Sequence, residues 1–366
     1  MDDAIHYFQS HPSVQNINLH RDSDSDSFSL SRSNTETMEK IIKNLNTKKA
    51  TGWDNIPAKV IVAASESLAA PFSRLYNMCL DSASFPSDAK RAEVIPVYKK
   101  DNALEKKNYR PVSILPASSK ILEKAIEQDL TKNWLPKVYH KALAAFRPGY
   151  SCQQLLLSLC DNWRSIRESK KQAGLLLIDL SKAFDSLPHS LLILTLHAYR
   201  ITTSTLHLLA DYVSQRYQSM KVSSTTSKWK LLNKGIPQGS ILGPVMFNLF
   251  INDIFSTVQN GSLYNYADDN SILVSGTNKE DIIAQIKENA NIIINWCAKN
   301  QMEANPGKFQ VMISEENTPI TINITETTQI ESENQVKLLG EPFYMLDFAV
   351  TKLARKSKGV NKFDNF

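Results

Sequence analysis

Long apolar runs and paired cysteines are both missing from this chain of 366 residues. No stretch approaches the roughly 18 consecutive apolar residues of a membrane-spanning helix, and the first residues lack the charged and apolar regions of a signal peptide. The 4 cysteines (Cys79, Cys152, Cys160 and Cys297) show no Cys-x-x-Cys spacing, which argues against a zinc site or a disulfide framework. We expect a soluble intracellular protein with reduced, mostly packed thiols. The sequence does not distinguish nucleus from cytoplasm.

A strong charge bias is also missing, because the net charge is only +5. The hydrophobic content of 42% and the charged content of 22% are those of an ordinary globular protein, long enough to bury a substantial core. Residues 1–33 are polar and contain the acidic run RDSDSDS, so we predict a poorly ordered lead-in. The remainder is therefore more basic than the total, which supports a nucleic-acid-binding cleft.

Two adjacent carboxylates, Asp268 and Asp269, lie between apolar, strand-like runs in the segment SLYNYADDNSILVSG. This pattern predicts a β-hairpin with the acids at its tip. Because Asp and Asn favour turns for local hydrogen-bonding reasons, an acidic turn alone can equally be a solvated hairpin tip.

A third carboxylate, Asp179, follows the apolar run LLLI at 175–178, which is typical of a strand buried on both faces. A charge at the end of such a strand is costly unless it is paired or binds a metal. Two hard divalent ions such as Mg²⁺ would neutralise these carboxylates. Two ions about 3.5–4 Å apart stabilise both reacting oxygens of phosphoryl transfer. The three aspartates therefore indicate nucleotidyl transfer.

The chain resembles the reverse transcriptase domain of non-LTR (LINE-type) retrotransposons, with the motifs of that family in order from about residue 40 to about residue 340. The matching segments are KKATGWDNIPAKVI (48–61), RAEVIPVYKKDNALEKKNYRPVSILPASSKILEKAI (91–126), AAFRPGYSCQQLLLSL (144–159), LLLIDLSKAFD (175–185), GIPQGSILGPVMFNLFINDI (235–254), YADD (266–269), WCAKNQMEANPGKFQVM (296–312) and VKLLG (336–340). One such motif would be weak evidence, whereas the whole collinear series is specific.

The resemblance implies an α+β fold, the fingers and palm of a right-hand polymerase, with an antiparallel palm sheet backed by helices. Short strands separated by helices favour the same class. We expect a fingers-like region at 34–174, a palm at 175–345 within a reverse transcriptase domain of approximately 85–345, and a truncated tail at 346–366. We also expect the chain to be a fragment without the endonuclease domain, the thumb or a Cys/His knuckle.

The implied activity is that of an RNA-directed DNA polymerase acting on an RNA template, a DNA primer and dNTPs. Asp179, Asp268 and Asp269 would bind two Mg²⁺ ions, with Mn²⁺ as a possible substitute, while the primer 3′-OH attacks the α-phosphate and pyrophosphate leaves. One alternative is a catalytically silent retroelement remnant that at most binds nucleic acid. No membrane partner is expected, and the oligomeric state is not predicted.

Phe184, five residues beyond Asp179, is implied to be a steric gate against the ribose 2′-OH, which disfavours an RNA-dependent RNA polymerase. The alternative is an ordinary core aromatic. We interpret its neighbour Asp185 as a structural hydrogen-bonding carboxylate rather than a metal ligand.

Gln238 and Gly239 lie in the loop GIPQGS (235–240), which is rich in glycine and proline and opens an apolar helix. Glycine lets a backbone approach a ligand closely, and a helix start can present N–H groups to phosphate or base. The resemblance implies that Gln238 contacts the newly forming base pair and the template strand. A plain helix-capping loop is the alternative.

Three basic residues, Arg110, Lys99 and Lys100, are implied to hold the incoming triphosphate, Arg110 together with one or other of the lysines. Arginine can bind phosphate bidentately and lysine acts as a point charge, although each lysine could equally be a solvated surface charge. Lys308 follows ANPG in a segment that resembles the motif whose lysine protonates the leaving pyrophosphate, and the resemblance implies this role for it. Its alternative role is another electrostatic contact.

Overall fold

The computed structural model describes residues 10–19, 27–314 and 318–344. The helices are α1 (Pro12–Leu19), α2 (Thr35–Lys43), α3 (Ala58–Ala63), α4 (Ser65–Ser82), α5 (Ala117–Asn133), α6 (Leu135–Val138), α7 (Cys152–Glu168), α8 (Ala183–Ser186), α9 (His189–Ala198), α10 (Thr203–Val213), α11 (Leu242–Ile251) and α12 (Lys279–Lys299). Short 3₁₀ turns cover Ser87–Lys90, Lys106–Asn108, Asn252–Ser256 and Pro306–Lys308.

The strands are β1 (Arg91–Tyr98), β2 (Tyr109–Ile114), β3 (Gln172–Ser181), β4 (Arg216–Val222), β5 (Thr225–Thr226), β6 (Lys230–Leu232), β7 (Ser262–Tyr266), β8 (Asp269–Gly276), β9 (Glu303–Ala304), β10 (Gln310–Ile313), β11 (Thr321–Asn323), β12 (Gln329–Glu331), β13 (Gln335–Leu338) and β14 (Glu341–Tyr344). This mixture of helices and largely antiparallel sheets confirms the predicted α+β class.

The chain divides into two compact units, each built from two stretches of sequence. Unit 1 comprises Met1–Tyr139 and Lys182–Asp253, and unit 2 comprises His140–Ser181 and Ile254–Phe366. The chain therefore leaves unit 1 after its first stretch, returns to it after β3, and leaves it again after α11. Consecutive segments such as those predicted for fingers and palm do not coincide with these units, and the fingers and palm boundaries stay predictions.

Unit 1 contains a mixed sheet in the order β2-β1-β4-β5, with β6 also paired to β4. β1 is antiparallel to β2 and parallel to β4. α5 buries an apolar stripe, namely Ile121, Leu122, Ala125, Ile126 and Leu130. α11 is apolar almost all round and is buried along its length, as expected of a helix inside a core rather than on its surface.

Unit 2 contains an antiparallel sheet in the order β10-β3-β8-β7, with β9 paired to the end of β3. Leu175 and Leu177 of β3 pack with α7 in one apolar cluster. The alternate residue Gly174 faces Ile282 and Ile286 of α12. Because helices cover both faces of β3, its sequence is a continuous apolar run rather than an alternating one. The predicted antiparallel sheet backed by helices is confirmed.

Part of the predicted lead-in is ordered. Pro12–Leu19 forms α1, and Phe28 stacks on Trp134 with ring centroids 5.3 Å apart while pairing with Ile201. Phe28 is buried, because its ring gives this otherwise polar segment apolar surface to remove from water. The rest of the predicted disorder, at 1–9 and 20–26, and the predicted tail at 346–366 lie outside the described residues.

Two expectations from composition can be compared with the described residues. None of their helices is long and apolar enough to cross a membrane. All four cysteines are free, with Cys79, Cys160 and Cys297 buried and Cys152 half-buried. The predicted packing of most thiols is confirmed.

Candidate active site

Strand register brings two of the predicted acids together in unit 2. Asp179, near the end of β3, is the direct antiparallel partner of Asp269, the first residue of β8. Side chains of directly opposed residues have Cβ atoms about 4.5–5.5 Å apart on the same face of a sheet. Two carboxylates from distant parts of the sequence are therefore neighbours, and they are placed by strands whose interior residues are buried.

The third acid lies on the turn between β7 and β8. Tyr266 pairs with Asp269, which leaves a two-residue loop of Ala267 and Asp268. Ala267 adopts a left-handed backbone with φ of 58°, and such loops match the twist of the flanking strands. Asp268 and Asp269 are both exposed. The predicted hairpin with acids at its tip is confirmed.

Two buried asparagines hold this turn, and the sequence analysis did not single them out. Asn265 and Asn270 are cross-strand partners that are 0% and 1% exposed. The Asn265 amide donates to the Ala267 carbonyl at 2.8 Å and to Asn270 Oδ1 at 2.9 Å, and the Asn270 amide donates to the Asp268 carbonyl at 3.2 Å. Asparagine is rare in strands. The asparagines directly before and directly after YADD were therefore the sequence signal for side chains that hold the turn.

Tyr266 anchors the same hairpin to α7. Burial, first of all, and a hydrogen bond with Cys152 together raise the pKa of Tyr266 to about 12. The phenol is therefore neutral at physiological pH. Cys152 is the first residue of α7, so this contact joins the acid-bearing turn to the helix that packs on β3.

Lys308 places a positive charge beside Asp179. Its Nζ lies 3.4 Å from Asp179 Oδ2, with the two side chains 66% and 42% exposed. Its position follows from the pairing of both flanking strands with β3: Ala304 of β9 is the partner of Leu180, and β10 begins just after Lys308. A pair this exposed contributes at most about 1 kcal/mol to stability. The structure thus brings a predicted lysine to a predicted aspartate.

Asp179, Asp268 and Asp269, which we call the acid centre, offer only carboxylate oxygens as ligands. This type of ligand suits a hard divalent cation. Two carboxylates directly opposite one another also repel, which a cation would relieve. Among residues 10–19, 27–314 and 318–344, no three or more His, Cys, Asp or Glu side chains are gathered closely enough to hold a metal ion. The three aspartates therefore supply the right ligand type, and strand register places Asp179 opposite Asp269. Their side chains do not converge on one point.

The predicted nucleotide-binding loop lies in unit 1, where several hydrogen bonds hold it. The Ser113 N–H donates to the Gln238 carbonyl at 2.7 Å, and Gln238 Nε2 donates to Asp185 Oδ1 at 2.9 Å. Gly239 has φ of 125°, and a Cβ there would collide with the Ser113 carbonyl. The absence of a side chain at Gly239 thus lets its backbone approach the Ser113 carbonyl. Approach of Gly239 to a ligand stays a prediction. Asp185 is a hydrogen-bonding carboxylate, as predicted.

The first N–H groups of α11, which could face phosphate or base, form hydrogen bonds within the chain. The N–H groups of Ile241 and Leu242 donate to Glu123 Oε2 at 2.6 and 3.2 Å, and that of Gly243 donates to Ser240 Oγ at 2.7 Å. Glu123 is fully buried, so its charge needs donors, and the first N–H groups of a helix lack partners within the helix. These three groups are therefore already bonded, and the helix-capping alternative describes them.

Phe184 is half-buried and stacks on Phe247 of α11, with ring centroids 4.4 Å apart and planes 25° apart. Its carbonyl accepts from the Ile236 N–H at 2.9 Å. The side chain is neither fully enclosed in the core nor free of it, so both the steric-gate prediction and the core-aromatic alternative stay open.

The predicted triphosphate ligands lie on the β1–β2 hairpin. Arg110 is the cross-strand partner of Val97, and Arg110, Lys99 and Lys100 are exposed. None of the three forms an ion pair with another residue of the described chain. Arg110 lies on the same strand as Ser113, the residue that binds the Gln238 carbonyl. The hairpin thus presents unpaired cations, and what they bind stays a prediction.

Comparisons with known proteins identify the family of the chain. Residues 97–343, more than half of the chain, match the family model described as reverse transcriptase (RNA-dependent DNA polymerase). The chain is similar to the probable RNA-directed DNA polymerase from transposon BS of Drosophila melanogaster, with 25% identity over 317 residues that cover 83% of this chain and 35% of the relative.

Another relative is the RNA-directed DNA polymerase from mobile element jockey of Drosophila funebris, with 25% identity over 282 residues that cover 75% of this chain and 31% of the relative. The chain spans about a third of the length of these two curated relatives. With the family model matched across β2 to β14 and the acids paired in its sheet, the chain belongs to the reverse transcriptase (RNA-dependent DNA polymerase) family.

Proposed function

We propose that this chain is the polymerase module of an RNA-directed DNA polymerase, which adds dNTPs to the 3′-OH of a DNA primer on an RNA template. The observation that carries the proposal is the pairing of Asp179 with Asp269 beside the turn that holds Asp268. This arrangement occurs in a chain whose curated relatives are named RNA-directed DNA polymerases. The proposed site of action is intracellular.

Asp179, Asp268 and Asp269 would hold two divalent cations, Mg²⁺ with Mn²⁺ as a substitute. Bound ions of this kind supply positive charge to the attacking and leaving oxygens of phosphoryl transfer. The contribution of the chain is to fix carboxylates on the ends of buried strands, so that little reorganisation is needed when charge develops. Exposure of both turn aspartates supports this role, because a substrate can reach them.

Lys308 Nζ would donate a proton to the leaving pyrophosphate, since a positioned amine can act as a general acid. Its contact with Asp179 supports this proposal, because it keeps the ammonium group at the acid centre. Arg110 would bind the triphosphate bidentately, with Lys99 or Lys100 as a point charge. The absence of ion-pair partners for these three cations within the described chain supports their availability to an anion.

Phe184 would exclude the ribose 2′-OH, and Gln238 and Gly239 would contact the new base pair and the template. The hydrogen bonds that hold residues 235–240 in place support a positioning role for this loop. Positioning is a large part of phosphoryl-transfer catalysis, because the protein does little covalent chemistry in it.

A primer-extension assay tests the proposal. The chain is incubated with an RNA template, a labelled DNA primer, dNTPs and Mg²⁺, beside the variants Asp179→Asn and Asp268→Asn. Each variant is expected to lower extension by at least about 100-fold, because it removes an anionic oxygen where charge develops. Asp161→Asn, an exposed aspartate on α7, is the matched control and should extend like the parent chain.

Extension by the parent chain no greater than by Asp268→Asn would contradict the polymerase proposal. Retained binding of the template–primer duplex in that case would instead support the silent-remnant alternative. A parallel reaction with rNTPs tests substrate class: incorporation of rNTPs as efficient as that of dNTPs would contradict the proposed role of Phe184.

A further inference from the structure

Asp185 is the neighbour of the sugar-selecting candidate Phe184 and the hydrogen-bond partner of the template-contacting candidate Gln238. Its Oδ1 lies 2.9 Å from Gln238 Nε2. The main chain of Gln238 is held separately, because its carbonyl accepts from the Ser113 N–H at 2.7 Å. The backbone of Gln238 and the end of its side chain are therefore fixed by different elements of unit 1.

The carboxylate determines which way the Gln238 amide points. An ionised carboxylate only accepts hydrogen bonds, so it takes the NH₂ group and turns the amide oxygen away from Asp185. A glutamine amide without such a partner can rotate by about 180°, which exchanges the positions of its NH₂ donor and its oxygen acceptor. Burial raises the pKa of the Asp185 carboxyl, whereas the Gln238 hydrogen bond and Lys182 oppose that shift. Removal of Asp185 would leave the amide free to present either group.

Backbone bonds also tie Phe184 and Asp185 to the same loop. The Ile236 N–H donates to the Phe184 carbonyl at 2.9 Å, and the Gly235 N–H donates to the Leu187 carbonyl at 2.7 Å. The missing Cβ of Gly235 makes room for the Asp185 backbone. With the Phe184 ring stacked on Phe247, the segment after β3 and the loop before α11 form one hydrogen-bonded element.

We propose that Asp185 is a positioning residue that fixes the Gln238 amide and thereby couples base-pair contact at Gln238 to sugar selection at Phe184. The proposal rests on the proposed function for its kinetic consequence, but not for the hydrogen bond itself. Asp185 would act only through Gln238, without touching template or nucleotide.

A double-mutant cycle measures this coupling in primer extension. Asp185→Leu is expected to raise the KM for dNTP and the misincorporation frequency by about tenfold, with a smaller change in kcat, because a charge-assisted hydrogen bond is lost. Asp185→Asn keeps an accepting oxygen but adds a donor that permits the opposite orientation of the Gln238 amide, so it should recover only part of the loss. On a Gln238→Leu background, Asp185→Leu should change KM less than twofold, because no amide remains to be oriented.

Two kinetic results would overturn the proposal. One is an undiminished effect of Asp185→Leu on the Gln238→Leu background, and the other is damage by Asp185→Asn equal to that by Asp185→Leu. Should Asp185→Leu fail to fold, Gln238→Glu examines the same contact, because it places a second carboxylate against Asp185 and should also raise KM. An unchanged KM in Gln238→Glu would count against the proposal.

A measurement independent of activity separates this proposal from the proposed function. In protein labelled with ¹⁵N-glutamine, the side-chain NH₂ signal of Gln238 is assigned by its loss in Gln238→Leu. This signal should be shifted from free-glutamine positions in the parent chain and in Asp185→Asn, and should move to those positions in Asp185→Leu. A free-glutamine position in the parent chain would overturn the positioning proposal, whereas absent extension with a shifted signal would overturn only the polymerase proposal.

Discussion

Asn265 and Asn270 illustrate how single buried amides set the position of exposed acids. Each amide bonds a carbonyl of the two-residue turn, and each side chain lies in the interior of the hairpin. The turn has no glycine, so its left-handed residue, Ala267, carries a conformational cost that these bonds offset. At the residue scale, two buried amides position the turn that carries the exposed carboxylates.

We predict that Asn265→Leu destabilises the chain by about 1–3 kcal/mol, because it leaves the Ala267 carbonyl and Asn270 Oδ1 without their donor. Urea unfolding measures this change. Asn291→Leu, at an exposed position of α12, is the matched control and should lie within about 0.5 kcal/mol of the parent. Equal free energies of unfolding for the two variants would show that the amide does not stabilise the turn.

Contact between β3 and α12 depends on a residue without a side chain. A Cβ at Gly174 would lie 2.5 Å from a methyl carbon of Ile282 and 3.0 Å from one of Val274. Both faces of β3 are covered, so the strand cannot shift to make room without disturbing the opposite face. At the element scale, the glycine sets how closely α12 approaches β3, the strand that carries Asp179.

Gly174→Ala is therefore expected to destabilise the chain by about 1–3 kcal/mol through overpacking. Gly307→Ala is the comparison, because its nearest neighbouring atom would be 3.7 Å away and its backbone is not left-handed. Thermal and urea unfolding of both variants check the prediction. A Gly174→Ala variant as stable as Gly307→Ala would mean that α12 can move away from the sheet at little cost.

Buried thiols occur in both units and make the whole molecule sensitive to alkali. Burial raises the pKa of Cys79 and of Cys160 to about 11 and that of Cys297 to about 12, from a reference of 9.0. Below the reference value, folded and unfolded chains both carry neutral thiols. Above it, only the unfolded chain ionises, so stability is lost as the pH rises towards the folded pKa values.

We expect the free energy of unfolding to fall steadily between about pH 9 and about pH 11, when it is measured by urea unfolding under reducing conditions. Cys297→Ala removes one of the contributing groups, so its loss of stability over this range should be shallower than that of the parent. The same free energy of unfolding at about pH 8 and at about pH 10.5 would contradict the prediction.

Local pattern predicted the parts of the site that are contiguous in sequence. The YADD hairpin and the buried strand before Asp179 follow from periodicity, which acts over a few residues. The sequence left two roles open for the N–H groups at the start of α11, because the carboxylate that binds them, Glu123, is more than a hundred residues away. Local sequence periodicity does not predict a hydrogen-bond partner so far away along the chain.

The sequence by itself determined the chemistry available to this protein, namely three aspartates, Lys308 and the ordered motifs of a reverse transcriptase. Only the tertiary structure decided that Asp179 is the direct partner of Asp269, that Lys308 approaches Asp179, and that Asp185 holds Gln238. The physical reason is that residue types and local periodicity depend only on residues that are close together in the sequence. Strand register and the satisfaction of buried polar groups are instead settled between segments far apart in it.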